Sequence, residues 1–387
     1  MKSSSHQRAL LPLIGLQGAI GSLGGFIGFF IVGSQDPHAI FRYTAGMLTA
    51  AVMSIFLTYL FGPRFGMTGR RLLRLGFLVP GLLLIVGEGS IAMMAIAFGA
   101  FIGMTAGARH SLEMSVLSDA ERDGYAARTG TLSVICSVAV TLGATLLLAS
   151  FAEQSHYVFW LYGALCVLGA AALGRSIPDT PPVSLKAPLS ILKQPQFVAC
   201  LPIFFLESGL FGISQAMASA GAVQALGSAT NFGWVATVAG LVGGIALYVT
   251  RKSRNVQNRT HWLGGACLVV SLAYVLLGAS VWVPSLFIGY SVLRAAGLPF
   301  LGASQQVLTQ RILDIQGELS DRIFARELVL WMLRMVSLFL FWSLANVISP
   351  VSLLLVGSGL LATATAMQYL VGKDLFWKRG GTLQQPA

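Results

Sequence analysis

The sequence predicts an all-α integral membrane protein: twelve transmembrane helices in two sets of six, with both chain ends on the cytoplasmic side. Three observations predict it. Of 387 residues, 55% are hydrophobic and only 10% charged, where a water-soluble chain carries about 25% charged. Apolar stretches recur along the whole chain, and a helix needs about 20 such residues to cross the hydrocarbon, because lipid offers no partner to a backbone N–H or C=O. Finally, 22 of the 25 Lys and Arg residues lie at the chain ends or in every second gap between stretches. The positive-inside rule places those gaps and both termini in the cytoplasm.

The first span, 9–33, follows Lys2 and Arg8. Its apolar run reaches Val32, too long for a cleaved signal peptide, so it is expected to stay as a helix. Gly15, Gly18, Gly21, Gly24, Gly25 and Gly28 let neighbouring backbones approach it closely. Span two, 40–62, leads to Arg64, Arg70, Arg71 and Arg74, and spans three and four, 72–87 and 90–108, are separated only by Glu88, Gly89 and Ser90. Arg109, Arg122 and Arg128 follow span four, before spans five and six at 129–152 and 157–174. Arg175, Lys186 and Lys193 then mark the longest polar, proline-rich stretch, which reads as a semi-rigid linker. It divides the chain into a bundle at 1–175, a linker at 176–195 and a second bundle at 196–387.

The second half carries spans at 198–224, 231–250, 261–280, 283–309, 328–348 and 350–372. Arg251, Lys252, Arg254 and Arg259 follow the eighth span, Arg311, Arg322 and Arg326 the tenth, and Lys373, Lys378 and Arg379 close the chain. Arg42 alone marks the opposite side, and Arg294 and Arg334 fall inside spans. Pro80, Pro202 and Pro299 also sit within spans and are expected to kink them. The halves repeat one loop logic, short and basic after spans two and eight, longer and mixed in charge after four and ten. A shared A-R-x-x-x-L opens spans five and eleven, from Ala127 to Leu132 and from Ala325 to Leu330. Internal duplication of this kind is how many secondary transporters are built.

Several classes are excluded. The net charge of +11 is a topology signal rather than a nucleic-acid footprint, because it is confined to alternate gaps. Cys136, Cys166, Cys200 and Cys267 are scattered within spans without CxxC spacing, and no His is expected at mid-span, so no metal site and no cofactor are predicted. No Walker loop or Ser/His/Asp set is present, so no enzyme activity is expected. Asp123, Gly124, Ala127 and Arg128 resemble the opening of the CDP-alcohol phosphotransferase signature, D-G-x-x-A-R. The two further Asp positions of that signature are Thr141 and Thr145 here, which leaves no site for a hard cation.

Gly62-Pro-Arg-Phe-Gly66-Met67-Thr-Gly69-Arg70-Arg71 has the spacing of the loop signature of the major facilitator superfamily, G-x-x-x-D-R-x-G-R-R, in the gap after span two. Gly62, Gly69, Arg70 and Arg71 match it, whereas the acid is Gly66 and the next base Met67. With the span count, the six-plus-six split and the loop charges, the whole chain resembles this family. Span four lacks the buried Arg, and span five the Gly-Pro element, that some members carry. The resemblance implies two bundles rocking about a central site in the inner (plasma) membrane, as a monomer among membrane lipids, driven by protons or by the gradient of its small-molecule substrate.

Glu207 and Arg294 lie midway along spans seven and ten. A charge at that depth costs at least ~2.5–3.5 kcal/mol, so it needs a partner or a wet cavity. The two are expected to face each other, as a substrate-gated pair or as a permanent bridge. Arg334, a third of the way into span eleven, either snorkels to the interface or attracts an anion. Gln17, Gln215, Gln305, Gln306 and Asn346 are cavity candidates or helix–helix hydrogen bonds, and Trp331 and Trp342 line a cavity or belong to the interfacial belt. The first half offers only Gln17 and hydroxyls at depth, so the chemistry is expected in the second. The expected function is proton-coupled export of a small anionic or amphiphilic compound, siderophore-like or drug-like. Uptake of a similar compound, a membrane phosphotransferase and a non-transporting assembly protein are the alternatives.

Overall fold

The computed structural model describes residues 5–33, 38–87, 90–172, 177, 183–250, 253 and 256–378. Lys2, Glu88, Gly89, Arg175, Arg251, Lys252, Arg254, Arg379 and most of the proline-rich stretch lie outside the described residues, as do the side chains of Arg8 and Lys378. The described chain is helical throughout. α1 (Ser5–Gly21) and α2 (Leu23–Gly33) form one broken rod, followed by α3 (Ala39–Phe61), α4 (Gly69–Val86), α5 (Ile91–Val116), α6 (Asp119–Ser150) and α7 (Ser155–Ala172). Three single turns, α8 (Pro188–Ile191), α9 (Pro195–Val198) and α10 (Leu201–Phe204), lead through a π-helical turn (Phe205–Gly209) into α11 (Phe211–Leu226). α12 (Ala229–Thr250), α13 (Arg259–Ala279), α14 (Leu286–Ile312), α15 (Leu319–Ala345) and α16 (Pro350–Lys378) complete it.

Among the described residues, eleven helical segments are long and apolar enough to cross a membrane. α4 is the exception, because Arg70, Arg71 and Arg74 occupy its first two turns. Several expected boundaries move. α5 continues to Val116 instead of ending at 108, α6 begins at Asp119 rather than 129, and α15 begins at Leu319 rather than 328. The loops expected after spans four and ten are therefore largely helical. Their charges neutralise one another, so nothing forces the helix to stop: Arg109 pairs with Glu113 at 2.6 Å, one turn along α5. Ser118 and Glu121 then start α6, the Glu121 carboxylate accepting from the Ser118 N–H at 3.1 Å in a capping box.

The first rod breaks at Ser22, whose hydroxyl donates to the Ala19 carbonyl and meets the Tyr162 hydroxyl at 2.6 Å. α4 and α14 run on through Pro80 and Pro299. Pro202 stands in the first turn of α10, where its missing N–H is an orphan anyway.

Within the first half α3 and α4 pack on α5, α4 on α7, and α1 on α6; within the second, α13 packs on α14 and α16, and α12 on α14. The halves meet where α6 lies against α12 and α14, α3 against α15, and α2 against α11. Glycines set these distances. A Cβ at Gly103 would stand 2.1 Å from the Ala51 carbonyl oxygen on α3, and one at Gly243 would stand 2.2 Å from the Ala295 carbonyl oxygen on α14.

In the loop between α3 and α4, Gly66 has φ +56°, a left-handed conformation that glycine adopts without cost. The Arg71 guanidinium donates to the Phe65 and Gly66 carbonyls at 2.9 and 3.0 Å, and Thr68 caps α4 by accepting from the Arg71 N–H. The basic residue of the loop signature thus holds a turn together, at the place where the signature has an acid.

Candidate functional site

Between the halves lies a central cavity of about 540 Å³, lined by α1, α2, α5 and α6 on one side and by α11, α12 and α14 on the other. That volume suits a small molecule. Arg294 is the single charged residue among those lining it. Phe26, Phe98, Phe211, Phe232, Phe287 and Tyr290 supply aromatic rings, and Ser137, Thr141, Ser214 and Ser219 supply hydroxyls. The Arg294 guanidinium is hydrogen-bonded to the Tyr274 phenol while its Nε is buried without a partner, and its electrostatic neighbours are the phenols of Tyr290 and Tyr274 rather than an acid. A buried cation with no acid beside it is expensive, and an anion in the cavity would neutralise it.

Below it, toward the basic loops, a second cavity of about 420 Å³ shares Ser133, Val134, Leu298 and Pro299 with the first. Arg109, His110, Glu207, Gln305, Gln306, Thr309 and Arg326 line this lower cavity. The expected Glu207–Arg294 pair is not formed. Glu207 accepts from the Thr309 hydroxyl at 3.3 Å and lies 3.9 Å from Arg326. Helical rise gives the physical reason. Thr309 stands about 22 Å further along α14 than Arg294, so a carboxylate bonded to Thr309 is at the wrong depth for Arg294. Arg326 is held for this role by Glu327 at 2.5 Å, by Thr309 at 3.2 Å and by the Phe204 ring 5.8 Å away. The second Glu207 oxygen, Oε2, is buried with no hydrogen-bond partner.

The first half contributes more than Gln17 and hydroxyls, contrary to expectation. Glu113 on α5 is 1% exposed. It accepts from Arg109 Nε at 2.6 Å, from Gln306 at 3.1 and 3.2 Å and from Gln310 at 3.0 Å, so one carboxylate ties α5 to α14 of the other half. Arg109 also donates to Gln17 at 3.4 Å, and Gln17 donates to Thr105 at 3.0 Å. His110, for which no mid-span position was expected, lies inside α5 with its Nδ1 buried and without a partner. Nearer the basic loops, Arg122 clasps both oxygens of Asp314 at 2.5 and 3.1 Å. The linker docks on α15, where Asp321 accepts the N–H groups of Lys186 and Ala187, and Lys186 pairs with Glu318 at 2.8 Å. That hydrogen bond and charge pair raise the Lys186 pKa and lower that of Glu318.

The opposite end is closed differently. Gln215 lines the central cavity and donates to the Gly24 carbonyl at 2.7 Å; Phe26 and Phe29 pack on Phe232; Trp342 donates to His38 at 2.9 Å and stacks on Phe41. Glu153 accepts the Thr230 N–H at 3.2 Å. Burial opposes its charged form, but the donors at the start of α12 outweigh burial and hold its pKa below the ordinary glutamate value.

The remaining candidates lie elsewhere. Arg334 is engaged by the Ser208 carbonyl and hydroxyl and stands over the Phe211 ring, outside both cavities. Gln305 lines the lower cavity and donates to Gln368 at 2.9 Å. Asn346 is exposed at the end of α15 and bonds the Trp342 carbonyl; Trp331 bonds Thr49 at 3.3 Å. Among the described residues no group of His, Cys, Asp or Glu is arranged to hold a metal.

No protein-family model and no curated protein matches the sequence. Solved structures do match. The human organic anion transporter MFSD10 superposes with a TM-score of 0.61 over 97% of this chain and 100% of its own, at 14% identity. A bacterial homologue of the iron transporter ferroportin, in an outward-facing state with soaked iron, superposes with a TM-score of 0.58 over 97% of this chain and 99% of its own, at 13% identity. The chain has the major facilitator fold. At these identities the likeness is one of fold.

Within the major facilitator fold, Arg109, Glu113, Thr309, Gln310 and Arg326 are the polar residues that sequence reasoning passed over. Two signals marked the first pair: the i, i+4 spacing of Arg109 and Glu113, and the Ser118-x-x-Glu121 capping box that starts the next helix late enough to leave both inside α5. No local pattern marks Gln310 as a partner of Glu113.

Proposed function

We propose that the chain is a secondary active transporter of the inner (plasma) membrane that exports a small organic anion by alternating access, coupled to protons. In this reading twelve helical passes, with α4 as the third, form bundles at 1–175 and 196–387 joined by the linker at 176–195, and both termini face the cytoplasm. The observation that carries it is the central cavity, in which Arg294 stands as a lone cation among aromatic rings and hydroxyls. A guanidinium offers a planar fork to a carboxylate, and the rings cover its apolar body. The shared fold with an organic anion transporter supports the substrate class. Opening the basic end requires parting Glu113 from Gln306 and Gln310 and Arg122 from Asp314; opening the other end requires parting Gln215 from Gly24 and Glu153 from Thr230. Glu207 is the proton carrier, because it lines the lower cavity with one oxygen unengaged.

The test uses purified protein in proteoliposomes with benzoate and 1-naphthoate as probes. Native protein is expected to bind naphthoate and raise its Tm. Arg294→Gln should abolish binding, whereas Glu207→Gln should bind but lose movement driven by a pH gradient. Undiminished binding by Arg294→Gln would remove the anion from this reading.

A further inference from the structure

The central cavity is separated from lipid on one side by a wall one side chain thick. Val134 and Val138 of α6 and Gly240 of α12 line the cavity and also line a separate recess of about 270 Å³ on the outer face of the same two helices. Gly244, Ile135, Leu241, Ile245 and Tyr248 complete that recess, and the last four are 56%, 52%, 64% and 60% exposed, on spans where exposure means contact with acyl chains. The seam joins helices from opposite halves of the chain. Gly240 makes it thin: a Cβ there would lie 2.5 Å from Val138 Cγ2. About one turn along α12, Gly243 packs against the carbonyl of Ala295, the residue next to Arg294. The cation and the seam are therefore neighbours. From Val138 and Gly240 the recess runs past Val134, at the middle of α6, to Tyr248 near the end of α12, in the direction of the basic loops.

We infer that the α6–α12 seam is a lateral portal for an anionic amphiphile with a single apolar tail, taken from the leaflet beside the basic loops. The head lies at Arg294 and the tail passes between Val138 and Gly240 into the recess. This rests on the reading of Arg294 as the anion site and narrows its substrate class. A tail in lipid exchanges one apolar surrounding for another on entering the recess, whereas a route through water would expose every methylene. Charge complementarity then selects the head, since Arg294 is the single charged residue lining the cavity behind the seam.

The cavity geometry supplies a reversible test. Gly240 and Val138 would place their Cβ atoms 3.8 Å apart, a separation suited to a disulfide. Val138→Cys with Gly240→Cys, in a Cys136→Ser background, staples the seam under oxidation. The probes are NBD-dodecanoate dissolved in the vesicle bilayer and benzoate in the aqueous phase. Because a staple between the halves halts turnover for any substrate, the readout is binding: oxidation is expected to weaken binding of dodecanoate from the bilayer at least tenfold, to leave benzoate binding within twofold, and to be undone by reductant. Gly244→Leu, whose first carbon would meet Val134 at an ordinary 3.5 Å, fills the recess without a cross-link and should give the same selective loss. Unaltered dodecanoate binding in both variants overturns the portal. Equal loss of binding of both probes overturns it too, because the changes would then act on the cavity itself and not on a route for the tail. The Arg294 reading fails separately, through benzoate transport that survives Arg294→Gln.

Discussion

Removing the two α14 donors to Glu113 should loosen the basic end without unfolding the protein. Gln306→Ala with Gln310→Ala leaves the Arg109–Glu113 pair intact and deletes only the bonds that cross between halves. A hydrogen bond to a charged group contributes about 1.5–3 kcal/mol, so two contribute about 3–6 kcal/mol before water replaces part of them. The lower cavity borders Gln306, so water has access there and the net loss is about 2–4 kcal/mol. That is a shift of about 30- to 700-fold toward the state open at the basic end. Spin labels at Ser115→Cys and Gln316→Cys, both exposed and on opposite halves, read the opening as a longer distance in pulsed electron paramagnetic resonance. A distance distribution identical to that of the native protein would falsify the latch. Glu113→Gln is the harsher change, because it strands the Arg109 cation. A broken buried pair costs about 3–5 kcal/mol, reduced here because Arg109 is 23% exposed, and the Tm should fall as well.

Other perturbations have defined outcomes. Gly66→Ala should lower stability by about 1 kcal/mol through its positive φ, measured as a Tm shift, while Gly66→Asp should lose less, since Asp tolerates that region and would face Arg71 3.3 Å from its Cβ. Gly243→Val drives a side chain into the Ala295 carbonyl and should destabilise by more than about 1–3 kcal/mol or abolish folded yield, because the obstacle is backbone. Asp321→Ala removes two N–H acceptors from the linker and should raise proteolysis between residues 183 and 198, at a cost of about 1–2 kcal/mol. The Glu153 contact needs the charged carboxylate, whose pKa is lowered in the fold, so the contact is intact at neutral pH and is lost only as pH falls below the ordinary glutamate range. Labels on the ends of α6 and α12 should separate on such acidification in the native protein; in Glu153→Gln their distance should not respond to pH.

Hydropathy and charge placement determined that the chain is a series of long apolar helices and which of the gaps between them are basic, because the cost of placing a residue in lipid is paid one residue at a time; where several of the helices begin and end was decided by the packing. Glu207 and Arg294 were legible as functional candidates for the same reason. Their partners were not. A window of hydropathy reports depth coarsely and says nothing about rotation about the helix axis, so the pairing of Glu207 with Arg326 and the roughly 22 Å separating Thr309 from Arg294 along α14 were decided by tertiary packing. Glu113 shows the limit most clearly. Its charge, next to basic residues, reads as a loop in sequence; only the approach of α14, bringing Gln306 and Gln310 within hydrogen-bond reach, makes it a buried contact between halves. The seam at Val138 and Gly240 has the same origin, since a glycine among apolar residues acquires meaning from the helix packed across it.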